Sequence, residues 1–144
     1  MQKRFWGSVV VVWLVMVVTD GLFHGVWLAP LYKETAQFWR PDSEMKQWMP
    51  LMWIASFIFS WAFVWIYTNG ISKTNPWGQA FRYGLAILLV AKVPELMGVW
   101  VTTPYPWELI TKWFVVSFTQ ALLCAFAMTW SYKPWLNWQV SQTA

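Results

Sequence analysis

Asp20, His24, Lys92, Glu95 and Gln120 are the residues of this 144-residue chain whose types and spacing could do chemistry. Each lies in a run of apolar residues instead of a polar loop. Asp20 and His24 are four residues apart and Lys92 and Glu95 are three apart, so on helices each pair shares one face. A carboxylate beside an imidazole can pass a proton. An ammonium beside a carboxylate can hold a counter-charge or lock two helices in register. Pro94 sits between the second pair, where it removes a helical N–H and frees the carbonyl of Val90. His24 is the one histidine and Cys124 the one cysteine. With Asp20 and Glu95, His24 makes a hard-ligand set that lacks the extra imidazole or thiolate of most transition-metal sites, so no metal site is expected. A single imidazole can still be an axial ligand, which leaves a haem or chlorophyll-type pigment at His24 open, though no cofactor is predicted. No phosphate-binding glycine loop, nucleophile elbow or paired catalytic carboxylates occur, and no enzyme activity is expected.

The elements that position these residues follow from composition. Hydrophobic residues make up 58% of the chain and charged residues 11%, with fifteen Trp, ten Phe and seven Met. Ordinary soluble domains carry about 25% charged residues. Sixteen charges cannot cover a small soluble fold, and this tryptophan-rich chain would leave sticky patches in water. A soluble domain and a disordered chain are excluded. So is a nucleic-acid binder, because the Lys and Arg form no stripe. One cysteine allows no disulfide framework. The sequence is that of an integral membrane protein.

Four segments are long enough to cross about 30 Å of hydrocarbon, which takes about 20 residues: roughly 5–29, 48–68, 80–101 and 108–130. Strand-like alternation is absent, and backbone in lipid must satisfy itself, so the spans are helices. The expected fold is an all-α membrane protein, a single domain over 1–144 forming a four-helix bundle with short loops and both termini on one side. The first run follows Lys3 and Arg4 but is too long for a signal h-region and lacks a cleavage site, so it reads as a retained span. The longest loop, 31–47, with Trp39, Met45 and Trp48 among mixed charges, is expected to lie on the membrane surface or against a partner. Trp39-Arg40-Pro41-Asp42 reads as the end of one turn and the start of another. Lys3, Arg4, Lys73, Arg82 and Lys133 collect on the side of the termini, which places that side in the cytoplasm. Many Trp and Tyr sit at span ends as interfacial anchors, while Trp13, Trp53, Trp61, Trp65 and Trp113 lie deeper and are expected to face protein or a ligand.

An ionised side chain at the bilayer centre costs about 2.5–3.5 kcal/mol on insertion scales, so the five polar residues should face the bundle interior. Spans one and three run in the same direction. Asp20 and Lys92 both lie nine residues before their span ends, and His24 and Glu95 five and six before. Equal depth lets Asp20 meet Lys92 and His24 meet Glu95, with Gln120 of span four joining a single intramembrane polar cluster. A weak internal similarity pairs His24-Gly25-Val26-Trp27 with Met97-Gly98-Val99-Trp100.

The stretch from His24 to Tyr32, then Thr35-Ala36, Trp39-Arg40-Pro41 and Glu44-Met45, with Tyr67-x-x-Gly70 and Arg82-Tyr83-Gly84, resembles small four-span bacterial integral membrane proteins of unassigned function. The resemblance covers most of the chain. It implies four helices and a bacterial cytoplasmic (inner) membrane, and no particular activity or cofactor.

Three functions are compatible with these residues. The first is a non-catalytic accessory or stabilising subunit of a larger membrane complex, suggested by the short loops and the small-residue spacings Ser56-x-x-x-Ser60 and Ala80-x-x-x-Gly84. The second is a small proton-coupled carrier or channel, working as a homodimer, that uses Asp20, His24, Lys92 and Glu95. The third is a membrane cofactor-binding protein with His24 as ligand. The partners expected are the lipid bilayer and other membrane subunits.

Overall fold

A computed structural model describes residues 2–70 and 75–132 of the chain. Lys73 and Lys133, two of the cations used to orient the bundle, lie outside these. The described residues are helical and contain no strand. Helix α1 spans Gln2–Leu22 and continues as a π-turn over Phe23–Trp27. A short helix α2 follows over Ala29–Glu34, then a 3-10 turn over Ala36–Phe38. Helix α3 spans Asp42–Asn69. Helix α4, Pro76–Ile87, runs through a π-turn at Leu88–Lys92 into α5, Val93–Thr102, and α6 spans Trp107–Tyr132. Four stretches are long and apolar enough to cross a membrane: Gln2–Trp27, Asp42–Asn69, Pro76–Thr102 and Trp107–Tyr132.

The helices start where the chemistry allows. Asn75 caps α4 through its side chain, which accepts from the Gly78 amide, and Pro76 follows at the first helical position, where its missing N–H costs nothing. Asp42 and Glu44 fill the first turn of α3, favourable beside the helix dipole's positive end. Pro41 precedes that helix with extended ψ and is not its first helical residue. This start lies six residues before the expected one, so Pro50 falls inside the helix. Pro30 also does not stop the chain. It opens α2, and the expected loop 31–47 is mostly helical.

Helix α1 packs along α6 and α3, and α4 packs along α6. At the end of the bundle that holds the start of α1 and the end of α6, the four spans close on one core. Val9 and Val12 of α1, Phe63 and Tyr67 of α3, Ala80 of α4 and Met128 of α6 are buried there. Polar links stitch it. The Tyr83 hydroxyl donates to the Phe63 carbonyl at 2.5 Å, Thr129 donates to the Tyr67 hydroxyl at 2.9 Å, and Ser131 donates to Ser8 at 2.9 Å. Towards the other end α3 stands apart. Every residue from 45 to 55 is exposed, which is three full turns in which the chain buries no residue. There a second, aromatic-walled core joins Leu28, Leu31, Leu109 and Val116 to Tyr32, Trp39, Tyr105 and Trp113.

The deep tryptophans divide. Trp113 packs inside, and the Trp13 indole donates to the Trp53 carbonyl at 3.3 Å. Trp53, Trp61 and Trp65 instead face outward, 51%, 41% and 53% exposed. A bilayer supplies the apolar surroundings these rings need without a protein neighbour. The two similar tetrapeptides also part: His24–Trp27 forms a π-turn, whereas Met97–Trp100 is regular helix.

Both small-residue spacings are used within the chain. Ser60 is buried, donates to the Ser56 carbonyl at 2.7 Å and has the Met16 sulfur of α1 3.5 Å from its hydroxyl. Ala80 and Gly84 are buried, and a Cβ on Gly84 would stand 3.0 Å from the Ala121 carbonyl oxygen of α6. Backbone cannot yield as a side-chain tip does. Gly84→Leu should therefore lower the thermal unfolding midpoint in detergent, by overpacking that typically costs about 1–3 kcal/mol. Gly98→Leu, where a Cβ would meet nothing within 4 Å, should leave it unchanged. Equal midpoints for the two would show that α4 and α6 do not approach this closely.

Candidate functional site

Between the closed core and the aromatic end lies a cleft of about 570 Å³. Asp20 and His24 of α1, Lys92 and Glu95 at the π-turn and α5, and Gln120 of α6 all line it. Opposite them α3 contributes Met52, Ser56 and Phe59. Because α3 packs along α1 and not along α5, the cleft is open sideways between them.

The pairings inside it differ from those expected from depth. Lys92 donates to Glu95 at 2.8 Å, within one helical turn. Asp20 accepts from the Gln120 side-chain amide at 2.8 Å, and the same nitrogen reaches Thr19 at 2.8 Å. His24 Nδ1 meets the Tyr32 hydroxyl at 2.5 Å. The Asp20–Lys92 and His24–Glu95 contacts are thus replaced. The reason is geometric: α1 packs on α6, so Asp20 reaches an α6 side chain, while Lys92 and Glu95 satisfy each other locally without crossing the cleft. Asp20 and Lys92 still stand close enough to His24 for both charges to act on it.

Depth and exposure give the cleft its character. Spans of 26–28 residues are about 40 Å long at 1.5 Å per residue, so each end overhangs a 30 Å hydrocarbon layer by about 5 Å. Lys92 lies ten residues from Thr102, hence about 10 Å inside the hydrocarbon boundary. The Lys92 and Glu95 side chains nonetheless remain 38% and 54% exposed. Charge bare to lipid is too costly at this depth, so water or another polar molecule must occupy the cleft.

Two π-turns shape its walls, one holding His24 and the other ending at Lys92. In each, an amide reaches back five residues: Leu28 N–H to the Phe23 carbonyl, and Val93 N–H to the Leu88 carbonyl. A proline follows within two residues in both cases, Pro30 and Pro94. In the third span the wider turn skips one carbonyl just where Pro94 offers no N–H, so the helix changes register without breaking. After the first π-turn the helix instead ends at Leu28, and Pro30 opens α2. The expected break at Pro94 is this register change. Such π-bulges recur at functional sites.

Tyr32 was not among the expected site residues, and it organises the aromatic end. Its hydroxyl accepts the Trp113 indole N–H at 2.8 Å, which leaves its own hydrogen for His24 Nδ1. Tyr32 also packs edge-on to Trp39, whose indole donates to Thr35 at 2.9 Å and whose ring stacks on Tyr105 at 5.3 Å. This plug pins α2 and the following turn onto α6. The signal was present in sequence as Tyr32 eight residues after His24, but only the fold-back of α2 makes that spacing a contact. His24 Nδ1 accepts the Tyr32 hydrogen, so the neutral ring carries its own proton on Nε2. Ligating a haem or pigment through Nε2 would require the other tautomer, with Nδ1 donating to Tyr32. Among the described residues no group of three His, Cys, Asp or Glu could hold a metal ion.

The chain matches no known protein family, no characterised protein and no solved structure.

Two outcomes follow from these bonds. In a double-mutant cycle read as thermal stability, Asp20→Asn and Gln120→Leu should be strongly non-additive, whereas Asp20→Asn and Lys92→Met should couple weakly; the reverse order would restore the depth-based pairing. Tyr32→Phe removes the shared hydroxyl and strands the Trp113 N–H, which typically costs about 1–3 kcal/mol. Burial also raises the Tyr32 pKa above its ordinary value, with the Trp113 hydrogen bond opposing. A raised pKa favours the neutral phenol in the folded state. That contribution is full below the ordinary tyrosine value and is lost as pH climbs through the raised one. Alkaline destabilisation should accordingly be shallower in Tyr32→Phe than in wild type.

Proposed function

We propose that this chain is a small proton-coupled carrier or channel of a bacterial cytoplasmic membrane. Its cleft is the binding site, and a homodimer is its working form. The observation that carries this reading is the placing of Asp20, His24, Lys92, Glu95 and Gln120 around one open cleft, with Asp20 met by a neutral amide instead of a cation. Ionisable groups inside a membrane mark ion pathways and proton relays more often than they mark packing. Helices with irregular turns at mid-membrane, as Leu88–Lys92 is within its span, line such sites in transporters.

The accessory-subunit reading keeps one support, the uncovered stretch of α3 beside the cleft. Its other support weakens, because the small-residue spacings are consumed in packing α3 on α1 and α4 on α6. A cofactor held by His24 remains a third reading, which requires the imidazole tautomer that donates from Nδ1 to Tyr32.

For orientation, both termini are proposed to be cytoplasmic. An even number of spans puts them on one side, and the Ser8–Ser131 hydrogen bond joins the first and last helices at that end. Lys3, Arg4 and Arg82 belong to it, in keeping with the positive-inside bias. A C-terminal reporter that functions only in the cytoplasm should be active.

The function itself is tested in proteoliposomes. An imposed pH gradient should decay faster with wild-type protein than with empty vesicles, and Asp20→Asn should abolish the difference. Decay unchanged by Asp20→Asn would sink the carrier reading. Larger membrane subunits purifying with the chain in mild detergent at fixed ratio would favour the accessory one.

A further inference from the structure

We infer that the cleft binds an amphipathic organic cation, which enters from the bilayer between α3 and α5 and is held by the Asp20 carboxylate. This rests on the carrier reading and names its substrate class.

Charge comes first. The cleft contains two carboxylates and one ammonium, and the ammonium is already spent, since Lys92 binds Glu95 at 2.8 Å. The Asp20 carboxylate has only the Gln120 amide against it, with Thr19 holding that amide in place. His24 is engaged by Tyr32. Asp20 therefore lacks a positive partner. It lies seven residues before the end of its span at Trp27, about 5 Å inside the hydrocarbon boundary. There its negative charge needs a partner, and a bound cation supplies it.

Size and lining decide which cation. No cluster of three His, Cys, Asp or Glu exists among the described residues to hold a bare metal ion. A cleft of about 570 Å³ falls in the range of sites for drug-sized organic molecules, about 300–1,000 Å³. Its walls are apolar and polarisable: Met16, Met52, Phe59 and Trp113. Aromatic faces attract organic cations, and methionine adapts to irregular apolar shapes. The opening between α3 and α5 faces the bilayer, because α3 packs along α1 and not along α5. An amphiphile that partitions into lipid reaches the site sideways. A strongly hydrated ion does not.

The exchange balances. Proton and organic cation compete for the one Asp20 carboxylate: binding to the acid form releases its proton and leaves a carboxylate–cation pair, and binding to the carboxylate releases none. The other titratable groups facing this space are His24 on α1, Tyr32 on α2, Lys92 and Glu95 at the π-turn and α5, and Cys124 on α6, while α3 brings none.

Tetraphenylphosphonium is the probe. Equilibrium dialysis against the intact chain in lipid nanodiscs should give saturable binding that weakens as pH falls. Asp20→Asn should weaken it about tenfold or more, as expected when one partner of a desolvated charge pair is removed. The pH dependence should persist in His24→Asn. Neutral triphenylphosphine oxide should not compete. Should Asp20→Asn fail to fold, the wild-type pH profile and the neutral competitor still decide. Equal binding of the neutral compound, an unchanged affinity in Asp20→Asn, or a pH dependence lost with His24 would each overturn the inference. Cation binding without proton flux would leave the site standing and remove the carrier reading. Flux without cation binding would do the opposite.

Discussion

An ionised side chain in hydrocarbon must find a partner or keep its water, and this bundle is arranged around that demand. Asp20 takes the Gln120 amide across the α1–α6 contact, which is also the contact that ties the first span to the last. Had α1 packed on α5 instead, Asp20 and Lys92 could have neutralised each other and the space between the helices could have closed. With α6 in the middle, Lys92 turns to Glu95 on its own helix, and the polar faces line a gap that no side chain fills. One choice of neighbour for α1 thus sets both the pairing and the cleft.

The two ends of the bundle answer this differently. Near the termini, ring-on-ring contacts such as Phe63 against Tyr83 at 4.7 Å, and small residues such as Ala80 and Gly84, let all four spans meet. Near the loops, bulky rings on α2 and α6 form a plug on one side only. Its order depends on one shared hydroxyl: Tyr32 links α1 through His24 to α6 through Trp113. α3 is left outside that plug, held at depth by Ser60 and Phe63 and tied above them to α1 through Trp13, which meets Phe57 and the Trp53 carbonyl. The cleft is therefore closely packed on its α1–α6 wall and joined to its α3 wall only through α1.

Helix existence was legible in the sequence because hydrocarbon thickness is a strong ruler. The four spans emerged from apolar length alone, and their centres agree with the structure. Their ends moved where polar residues continue a helix past the membrane, as Asp42 to Gln47 do for α3. Which polar residues gather was also legible, since burial cost drives them inward. Who pairs with whom was not. Depth along each helix can be counted, but helix neighbours depend on packing faces that fifteen tryptophans and a nearly uniform apolar surface conceal. Tyr32 escaped for a related reason: it sits outside the first span, and no periodicity within a span announces that α2 folds back to bring it beside His24.

The π-turns connect this geometry to movement. Each lies just before a proline, and each carries or adjoins a cleft residue, His24 in one and Lys92 with Glu95 in the other. A helix that has already skipped a hydrogen bond can shift register at that point at less cost than one whose ladder is complete, because no further bond must break. The two turns lie in spans one and three, both of which pack against α6. Asp20 therefore sits between two irregular points in the backbone, while the core at the terminal end holds the four spans together. On the proposed carrier reading, access from the closed side would require those two helices to tilt about that core, and the π-turns and prolines are the points where the helix ladder already yields.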